Sequence, residues 1–152
     1  MRLWRICRRR YAAGAASGEG ARLYGGRWSS RGVRVVYAST SLALAAVETF
    51  ANLEPNLRPA DLVSIEGEIP DAVEVSRLDV TALPARWHGT RDESLRRFGN
   101  DWIRGGTSVA SLVPSAAIHG EWNVLLNPAH PEFATIAFSP AKRFQFDARM
   151  FR

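Results

Sequence analysis

The stretch VRVVYASTSLALAAVETFANL, residues 33–53, predicts a β-strand that leads directly into an α-helix. Its first part, residues 33–38, is rich in β-branched residues and ends beside an aromatic residue, which is typical of a strand. Three hydroxyl residues follow at 39–41, and such side chains cap the first turn of a helix. The predicted helix covers 41–53 and carries one carboxylate, Glu48. The strand end and the helix start therefore meet at one edge, where a cleft can form.

Two interpretations of Glu48 follow from the helix pattern. A helical wheel predicts a core-facing stripe of four apolar residues: Leu42, Ala46, Phe50 and Leu53. Glu48 lies on the other side, as a solvated surface residue would. That side is also largely apolar, with Leu44, Val47 and Ala51. A carboxylate on such a helix also fits a partly buried functional cleft, so both interpretations stay open.

The rest of the chain predicts an α+β fold. Further strands are expected near residues 3–7, 62–69, 73–78, 108–113, 123–126, 135–138 and 143–146. A capping-box sequence at 90–93 predicts a second helix that ends at Gly105 and Gly106. Residues 12–32, rich in Gly, Ala and Ser, predict a long loop. Strands and helices do not alternate, so we expect a compact single domain over 1–152, with mixed strand-rich sheets and two or three helices.

Length and composition limit the class of protein. The chain has 152 residues, of which 46% are hydrophobic and 23% charged, as in an ordinary globular domain. Its one cysteine, Cys7, excludes an internal disulfide. No apolar run approaches the roughly 20 residues that span a bilayer, and the basic N-terminus lacks the apolar segment of a signal peptide. These features predict a cytoplasmic protein without membrane association.

Positive charge is concentrated at the N-terminus. Nineteen of the 20 basic residues are arginine, and residues 1–34 hold nine of them against one acidic residue, Glu19. The net charge is +8 in this segment and −3 in the remainder. Because arginine offers a planar set of donors to phosphates and carboxylates, an anionic ligand or partner is expected near this end.

Several chemistries have no motif in the sequence. There is no GxxxxGK[ST] phosphate loop, no complete GxGxxG turn, no HExxH and no CxxC. The three histidines, His88, His119 and His130, are too scattered to indicate a metal cage. No metal site is predicted.

The candidate site residues lie on consecutive predicted elements. Arg27 follows two glycines, which let the backbone approach a ligand closely, although a solvated turn arginine fits equally well. Tyr37 at the strand end fits either the core or a stacking contact with a ligand. Glu48 follows 11 residues later. Ser115, after Val113 and Pro114, would alone be an ordinary loop serine.

Together these residues resemble the RES-domain family, which is named for an Arg, a Glu and a Ser that fit Arg27, Glu48 and Ser115. The resemblance spans nearly the whole chain: LWRI at 3–6, SGEGARLYGGRW at 17–28, VVYAS at 35–39, ALAAVE at 43–48, VPS at 113–115 and NVLLNPAHP at 123–131. Ser30 and Arg31 depart from the pattern, since Asn and Pro are expected there, and a ligand role for Arg31 is not assigned.

The resemblance implies a toxin of a bacterial toxin–antitoxin pair with an ADP-ribosyltransferase-like fold that consumes NAD. Family members transfer ADP-ribose to a protein target, or degrade NAD by hydrolysis or phosphorolysis. The implied partner is a helix-turn-helix antitoxin of the Xre type that covers the active site and through which the complex binds DNA. The acceptor, any protein target and the oligomeric state stay open.

The implied chemistry fits a single carboxylate. Nicotinamide leaves as a neutral group, so no general acid is needed, and Glu48 alone can stabilise an oxocarbenium-like transition state. Arg27 would bind the pyrophosphate or ribose, and Tyr37 would stack on nicotinamide. Ser115 would hydrogen-bond the substrate or Glu48. Ser39 and Asn123 are expected to line the site, with His119 a weaker candidate.

Two other functions remain open on the residues. The arginine-rich N-terminus also suits a basic toxin that targets nucleic acid. A non-catalytic interaction domain could use Arg27, Tyr37 and Glu48 only to join loop, strand and helix. Replacement of Glu48 by glutamine distinguishes these functions, because only the NAD-consuming enzyme loses NAD turnover while keeping its fold.

Overall fold

The computed structural model describes residues 1–54, 56–89 and 93–151. Its strands are β1 (Arg2–Arg8), β2 (Val36–Ser39), β3 (Leu62–Glu68), β4 (Val75–Arg77), β5 (Ala110–Pro114), β6 (Trp122–Leu126), β7 (Ala137–Phe138) and β8 (Lys142–Arg143). Its α-helices are α1 (Glu19–Tyr24), α2 (Leu42–Ala51) and α3 (Glu93–Gly105). Short 3-10 helices occupy Arg9–Gly14, Val80–Ala82, Trp87–Gly89, Pro131–Thr135 and Ala148–Phe151. The α+β prediction is confirmed. Most of the predicted capping box, at 90–92, lies outside the described residues.

All eight strands belong to one sheet. Its order is β4-β5-β6-β2-β1-β3-β7, with β8 also paired to β3. The β4–β5 pair is parallel and the other pairs are antiparallel. Two apolar cores pack on opposite faces, since neighbouring residues of β6 divide between them: Val124 and Leu126 join one core and Leu125 the other.

The sheet opens between β1 and β2. Strand β1 pairs with β3 along its whole length, from Arg2 to Arg8, whereas its ladder with β2 holds one register pair, Trp4 with Ser39. Helix α2 contacts both strands. A hydroxyl caps this helix, because the Ser41 Oγ accepts a hydrogen bond from the Leu44 backbone N–H at 3.1 Å. The opening between β1 and β2 is therefore fixed from one side by a helix that the sequence predicts.

The predicted core face of α2 was wrong. Leu44 and Ala45 are its buried residues, while Leu42 is 37% exposed. Phe50 instead packs against Phe146 and Phe151 near the C-terminus. Because the helix is apolar almost all round, contacts distant in sequence decide which side faces the sheet.

Three boundaries differ from the sequence prediction. The predicted loop 12–32 contains α1, whose Glu19 forms ion pairs with Arg22 and Arg34. The strand expected over 135–138 is shortened because Pro131 starts a 3-10 helix capped by the preceding histidine. The strand expected over 143–146 ends at residue 143 and gives way to aromatic packing around Phe146. Among the described residues, no helix is long and apolar enough to cross a membrane.

Candidate active site

A cleft forms where β1 and β2 separate. Its volume is about 720 Å³, within the range of about 300–1,000 Å³ found for ligand-binding clefts. Residues from β1, β2, β6, α2 and the segment around α1 line it, and they include Arg27, Tyr37, Ser39, Glu48 and Asn123. The structure thus brings five of the six predicted site residues to one cavity, which we call the Glu48 cleft.

Glu48 projects into this cleft with one carboxylate oxygen held. Its Oε1 accepts hydrogen bonds from the Ser115 Oγ at 2.7 Å and from the Asn123 Nδ2 at 2.5 Å. Ser115 follows β5 and Asn123 lies on β6, so three elements distant in sequence meet at this oxygen. The Oε2 atom has no hydrogen-bond partner among the described residues, which leaves it available to a ligand in the cleft.

Further hydrogen bonds set the direction of both donors. The Ser39 Oγ donates to the Asn123 Oδ1 at 2.7 Å, which turns the amide NH₂ of Asn123 toward Glu48. The backbone N–H groups of Ala117 and Ile118 donate to the Ser115 Oγ at 3.1 and 3.0 Å. Because the Oγ accepts these two bonds, the Ser115 hydroxyl donates its own proton to Glu48. Ser115 is 1% exposed and does not line the cleft; it lies behind the carboxylate.

The turn that carries Arg27 is fixed by Tyr37. The phenol Oη accepts a hydrogen bond from the Trp28 N–H at 3.1 Å and pairs with the Ser29 Oγ at 2.8 Å. A Cβ at Gly26 would stand 2.5 Å from that Oη, so glycine permits this close approach. Burial raises the pKa of Tyr37, with the two hydrogen bonds opposing, and keeps the phenol neutral. Tyr37 thus both lines the cleft and shapes the turn.

Helix α3 holds the same turn from its other side. Asn100 exchanges two hydrogen bonds with Ser30, one to the backbone N–H at 3.0 Å and one to the hydroxyl at 2.8 Å. The Arg27 Nη1 donates to the Trp87 carbonyl at 3.2 Å. Arg31 is exposed. Ser30, where the sequence departs from the family pattern, therefore anchors this turn to α3.

Arg5 is a cleft residue that sequence reasoning did not select. Its Nη1 donates to the Tyr37 carbonyl at 2.6 Å, at the point where β1 leaves β2. Its Nε is buried and has no hydrogen-bond partner among the described residues. The Arg5 guanidinium also forms no ion pair with any described residue. Burial lowers the pKa of Arg5, with a smaller opposing effect of Cys7. The signal in the sequence is an arginine within the apolar run LWRIC, on the same strand face as buried Leu3.

The histidines lie away from the cleft walls. His88 and His119 stack with ring centroids 4.2 Å apart, and His88 also stacks on Trp87. Burial, the neighbouring His119 and Arg27 lower the pKa of His88, in that order. His130 accepts the Glu132 N–H through its Nδ1 at 3.2 Å and so caps a 3-10 helix. Among the described residues, no group of three or more side chains could hold a metal ion.

Comparison with known proteins shows the family. The pattern of the RES domain matches residues 2–147, and the chain belongs to the RES-domain family, as the sequence predicts. It is 37% identical over 154 residues to the Prs ADP-ribosylating toxin of Sphingobium sp. strain YBL2, covering 98% of this chain and 96% of that protein. It is 33% identical over 152 residues to Toxin Res of Yersinia enterocolitica, covering 99% of each.

A solved structure shares the fold. The chain is similar to one in the crystal structure of the M. tuberculosis MbcT–MbcA toxin–antitoxin complex, with a TM-score of 0.72 and 15% sequence identity. The superposition covers 99% of this chain and 86% of that chain. At this identity the likeness concerns the fold.

Proposed function

We propose that this protein is the toxin of a toxin–antitoxin pair and that it breaks the nicotinamide–ribose bond of NAD in the Glu48 cleft. One observation carries the proposal: Glu48 holds its Oε1 between Ser115 and Asn123 and leaves Oε2 open to the cleft. Membership of the RES-domain family and a relative named as an ADP-ribosylating toxin support it. The fold shared with a chain of a toxin–antitoxin complex agrees with it.

Glu48 acts on the charge that develops on the ribose. As the C1′–N bond lengthens, its electron pair returns to the pyridinium nitrogen and nicotinamide leaves neutral, so no acid is required. The ribose then carries oxocarbenium-like positive charge. The Oε2 of Glu48 stabilises this charge directly, or it positions the ribose by accepting a hydrogen bond from a ribose hydroxyl. An acceptor oxygen or nitrogen attacks C1′ and gives up its proton. Ser115 and Asn123 keep the carboxylate oriented through these steps.

The arginines of the cleft hold the phosphates. Arg5 and Arg27 both line the cleft that Glu48 enters. A buried guanidinium with a free Nε, as in Arg5, is stabilised by an anion that accepts its N–H bond. Fixing the pyrophosphate at this point places the ribose against Glu48 before the bond breaks. Tyr37 stacks on the nicotinamide ring, and Ser39 keeps Asn123 turned to the carboxylate.

The acceptor is proposed to be a protein, with water and phosphate as the other outcomes of the test. A relative at 37% identity carries the name Prs ADP-ribosylating toxin, which supports a protein acceptor. NAD labelled in the adenylate half distinguishes the three: label moves to a protein band, to free ADP-ribose, or to ADP-ribose 1″-phosphate. Transfer that needs cell extract identifies a protein target.

The partner is proposed to be a helix-turn-helix antitoxin of the Xre type that covers the Glu48 cleft in the cytoplasm. The rim of the cleft supports a partner surface, since Tyr24 lines it and is 75% exposed. DNA contacts then belong to the antitoxin. Co-expression with an antitoxin of this type that binds the protein should give a stable complex in which NAD cleavage stops, and unchanged cleavage in that complex contradicts the proposed cover.

The experiment for the reaction compares two single substitutions. Glu48→Gln keeps the side-chain size but removes the charge, and we expect nicotinamide release to fall at least about 100-fold. Glu74→Gln makes the same change on an exposed residue that does not line the cleft, and should match wild type. Full turnover in Glu48→Gln rejects the reaction. An unfolded Glu48→Gln protein, combined with no NAD loss in wild type, favours the interaction-domain alternative.

A further inference from the structure

Four aromatic side chains form a series of ring contacts from the interior to the surface: Trp28, Trp87, His88 and His119. Trp28 contacts Trp87 at a tilt, with ring centroids 5.6 Å apart. His88 stacks on Trp87 at 4.0 Å and on His119 at 4.2 Å, with interplanar angles of 28° and 27°. Trp28 is buried and His119 is exposed, so the series reaches the solvent at its histidine end. We call it the aromatic series.

The buried end of the aromatic series belongs to the turn that carries Arg27. Trp28 follows Arg27 in the chain, and the Arg27 Nη1 donates to the Trp87 carbonyl at 3.2 Å. The charge of Arg27 also acts on His88, since it is one of the causes that lower the pKa of that histidine. A shift of Trp87 or His88 would therefore move a carbonyl that holds Arg27.

The exposed end belongs to the loop behind Glu48. This loop, residues 115–121, is closed by the Ser115 N–H, which donates to the Glu121 carbonyl at 2.8 Å. Two further backbone N–H groups of the loop hold the Ser115 Oγ, which donates to the Glu48 Oε1 at 2.7 Å. His119 lies within the same loop. Its contact with His88 therefore restrains the turn that orients the carboxylate.

The two histidines thus connect the Arg27 turn with the Ser115 turn. Neither histidine lines the Glu48 cleft, so any effect they have on the reaction passes through these turns. Ala116 also packs against the apolar core that contains Trp87, which gives the loop a second restraint. Loss of the histidine contact should therefore misplace the Ser115 turn without unfolding it.

The contact depends on the charge of both rings. Burial, His119 and Arg27 lower the pKa of His88, in that order, so His88 is neutral at neutral pH. Below about pH 6.5, the ordinary pKa of histidine, both rings begin to gain protons, and two like charges would then lie 4.2 Å apart. Arg27 adds a third positive charge. Two other charged residues, Arg86 and Glu121, are exposed on the two segments that carry the histidines.

We propose that His88 and His119 are positioning residues for NAD cleavage, because their stack holds the Ser115 turn against the Arg27 turn and weakens when both rings are charged. This inference rests on the NAD-cleaving function proposed above. The neutral pair keeps Ser115 oriented toward Glu48. The stability that the stack contributes is present above about pH 6.5 and is lost as the pH falls, so kcat should fall with it while KM changes little.

The test replaces His119 in two ways and measures nicotinamide release at about pH 7.5 and about pH 5.5. His119→Phe keeps a ring that stacks but takes up no proton, and His119→Ala removes the ring. Ile118→Ala is the matched control, since Ile118 is an exposed neighbour in the same loop and does not line the cleft. Glu121→Gln controls for the carboxylate of the loop. Thermal unfolding at each pH shows that the variants fold.

We expect His119→Ala to lower kcat about fivefold or more at about pH 7.5, with a KM within about twofold of wild type. His119→Phe should restore kcat to within about twofold of wild type at that pH. On acidification to about pH 5.5, the kcat of wild type should fall at least about threefold more than that of His119→Phe. Ile118→Ala and Glu121→Gln should follow wild type at both pH values.

Three results overturn the inference: a kcat of His119→Ala equal to that of Ile118→Ala, a His119→Phe protein as slow as His119→Ala, or one that declines in acid as steeply as wild type. Failure of the proposed function looks different, because wild type then releases no nicotinamide at either pH, and the inference fails with it. Failure of the inference alone leaves release by wild type intact.

Discussion

Replacing Ser115 with alanine tests how its hydroxyl acts. The Oγ donates to Glu48 and accepts the N–H groups of Ala117 and Ile118, and the residue is 1% exposed. Ser115→Ala removes all three hydrogen bonds at one buried point. If the hydroxyl acts through Glu48, the variant loses both stability and rate but keeps its affinity for NAD.

The expected loss of stability follows from those bonds. A hydrogen bond to a charged group contributes about 1.5–3 kcal/mol, and a buried donor without a partner costs about 1–3 kcal/mol. Ile118 is 40% exposed, so water can reach this turn and the bond to Glu48 dominates. We expect the free energy of unfolding to fall by about 2–3 kcal/mol. For a domain of this size the Tm then falls by about 4–12 °C.

The expected loss of rate follows from the orientation of Glu48. Asn123 still holds Oε1, but a carboxylate with one donor can turn away, and a misplacement of about 1 Å lowers rates about 100-fold. We expect kcat for nicotinamide release to fall about 10- to 100-fold. The KM should stay within about twofold of wild type, because Ser115 does not line the cleft.

The assay pairs thermal unfolding with initial rates of nicotinamide release. Ser111→Ala is the matched control, since Ser111 is a buried serine of β5 whose hydroxyl makes no hydrogen bond within the described part of the chain. Its loss of stability should stay below about 1 kcal/mol. In a Glu48→Gln background, Ser115→Ala should lower kcat no further. A wild-type kcat, or a raised KM at unchanged kcat, refutes a role through Glu48.

Three further predictions concern the turn, the phosphate contact and pH. Gly26→Ala should reduce NAD cleavage about tenfold or more, because its Cβ would stand 2.5 Å from the Tyr37 Oη. Gly89→Ala, with open space around it and outside the cleft lining, should keep the wild-type rate, and equal rates in the two variants would contradict the close approach. Arg5→Met should weaken ADP-ribose binding at least about tenfold by calorimetry, since it removes a buried cation that lines the Glu48 cleft. Unchanged affinity would exclude Arg5 from the phosphate contact. Burial raises the pKa of Tyr37, so the unfolded chain loses this proton at a lower pH than the folded chain does. The stability that is present below about pH 10 should therefore decline as the pH rises further. The denaturant midpoint of a Tyr37→Phe protein should decline less over that range, and identical declines would argue against a buried phenol.

Local signals made part of the fold predictable. The strand-to-helix stretch 33–53 carries its own β-branched run and its own cap at Ser41, so the sequence determines both elements. The face of α2 is different. Leu44 and Ala45 are the buried residues of this helix, and its Phe50 packs against aromatic residues near the C-terminus. Packing between distant segments therefore decides how the helix is oriented. A helical wheel cannot predict which side of a largely apolar helix is buried.

The sequence predicts the residues of the candidate site, five of which the structure brings together in the Glu48 cleft, but it does not predict their geometry. Glu48 lies on α2, which follows β2, and Ser115 follows β5. They meet Asn123 because β2, β6 and β5 are neighbours in the sheet, an order that no local pattern encodes. The resemblance to the RES domain supplied the residues, and the structure shows which oxygen of Glu48 they hold. Arg5 is not predicted as a site residue, because its place in the cleft depends on the separation of β1 from β2 in the folded sheet.

The most direct test of the central claim is the rate of nicotinamide release from NAD by purified Glu48→Gln protein, measured beside wild type and Glu74→Gln with and without cell extract. If the Glu48 carboxylate stabilises the transition state, wild type and Glu74→Gln release nicotinamide, Glu48→Gln releases it at least about 100-fold more slowly, and its circular dichroism spectrum matches that of wild type. Release from Glu48→Gln at the wild-type rate would contradict it.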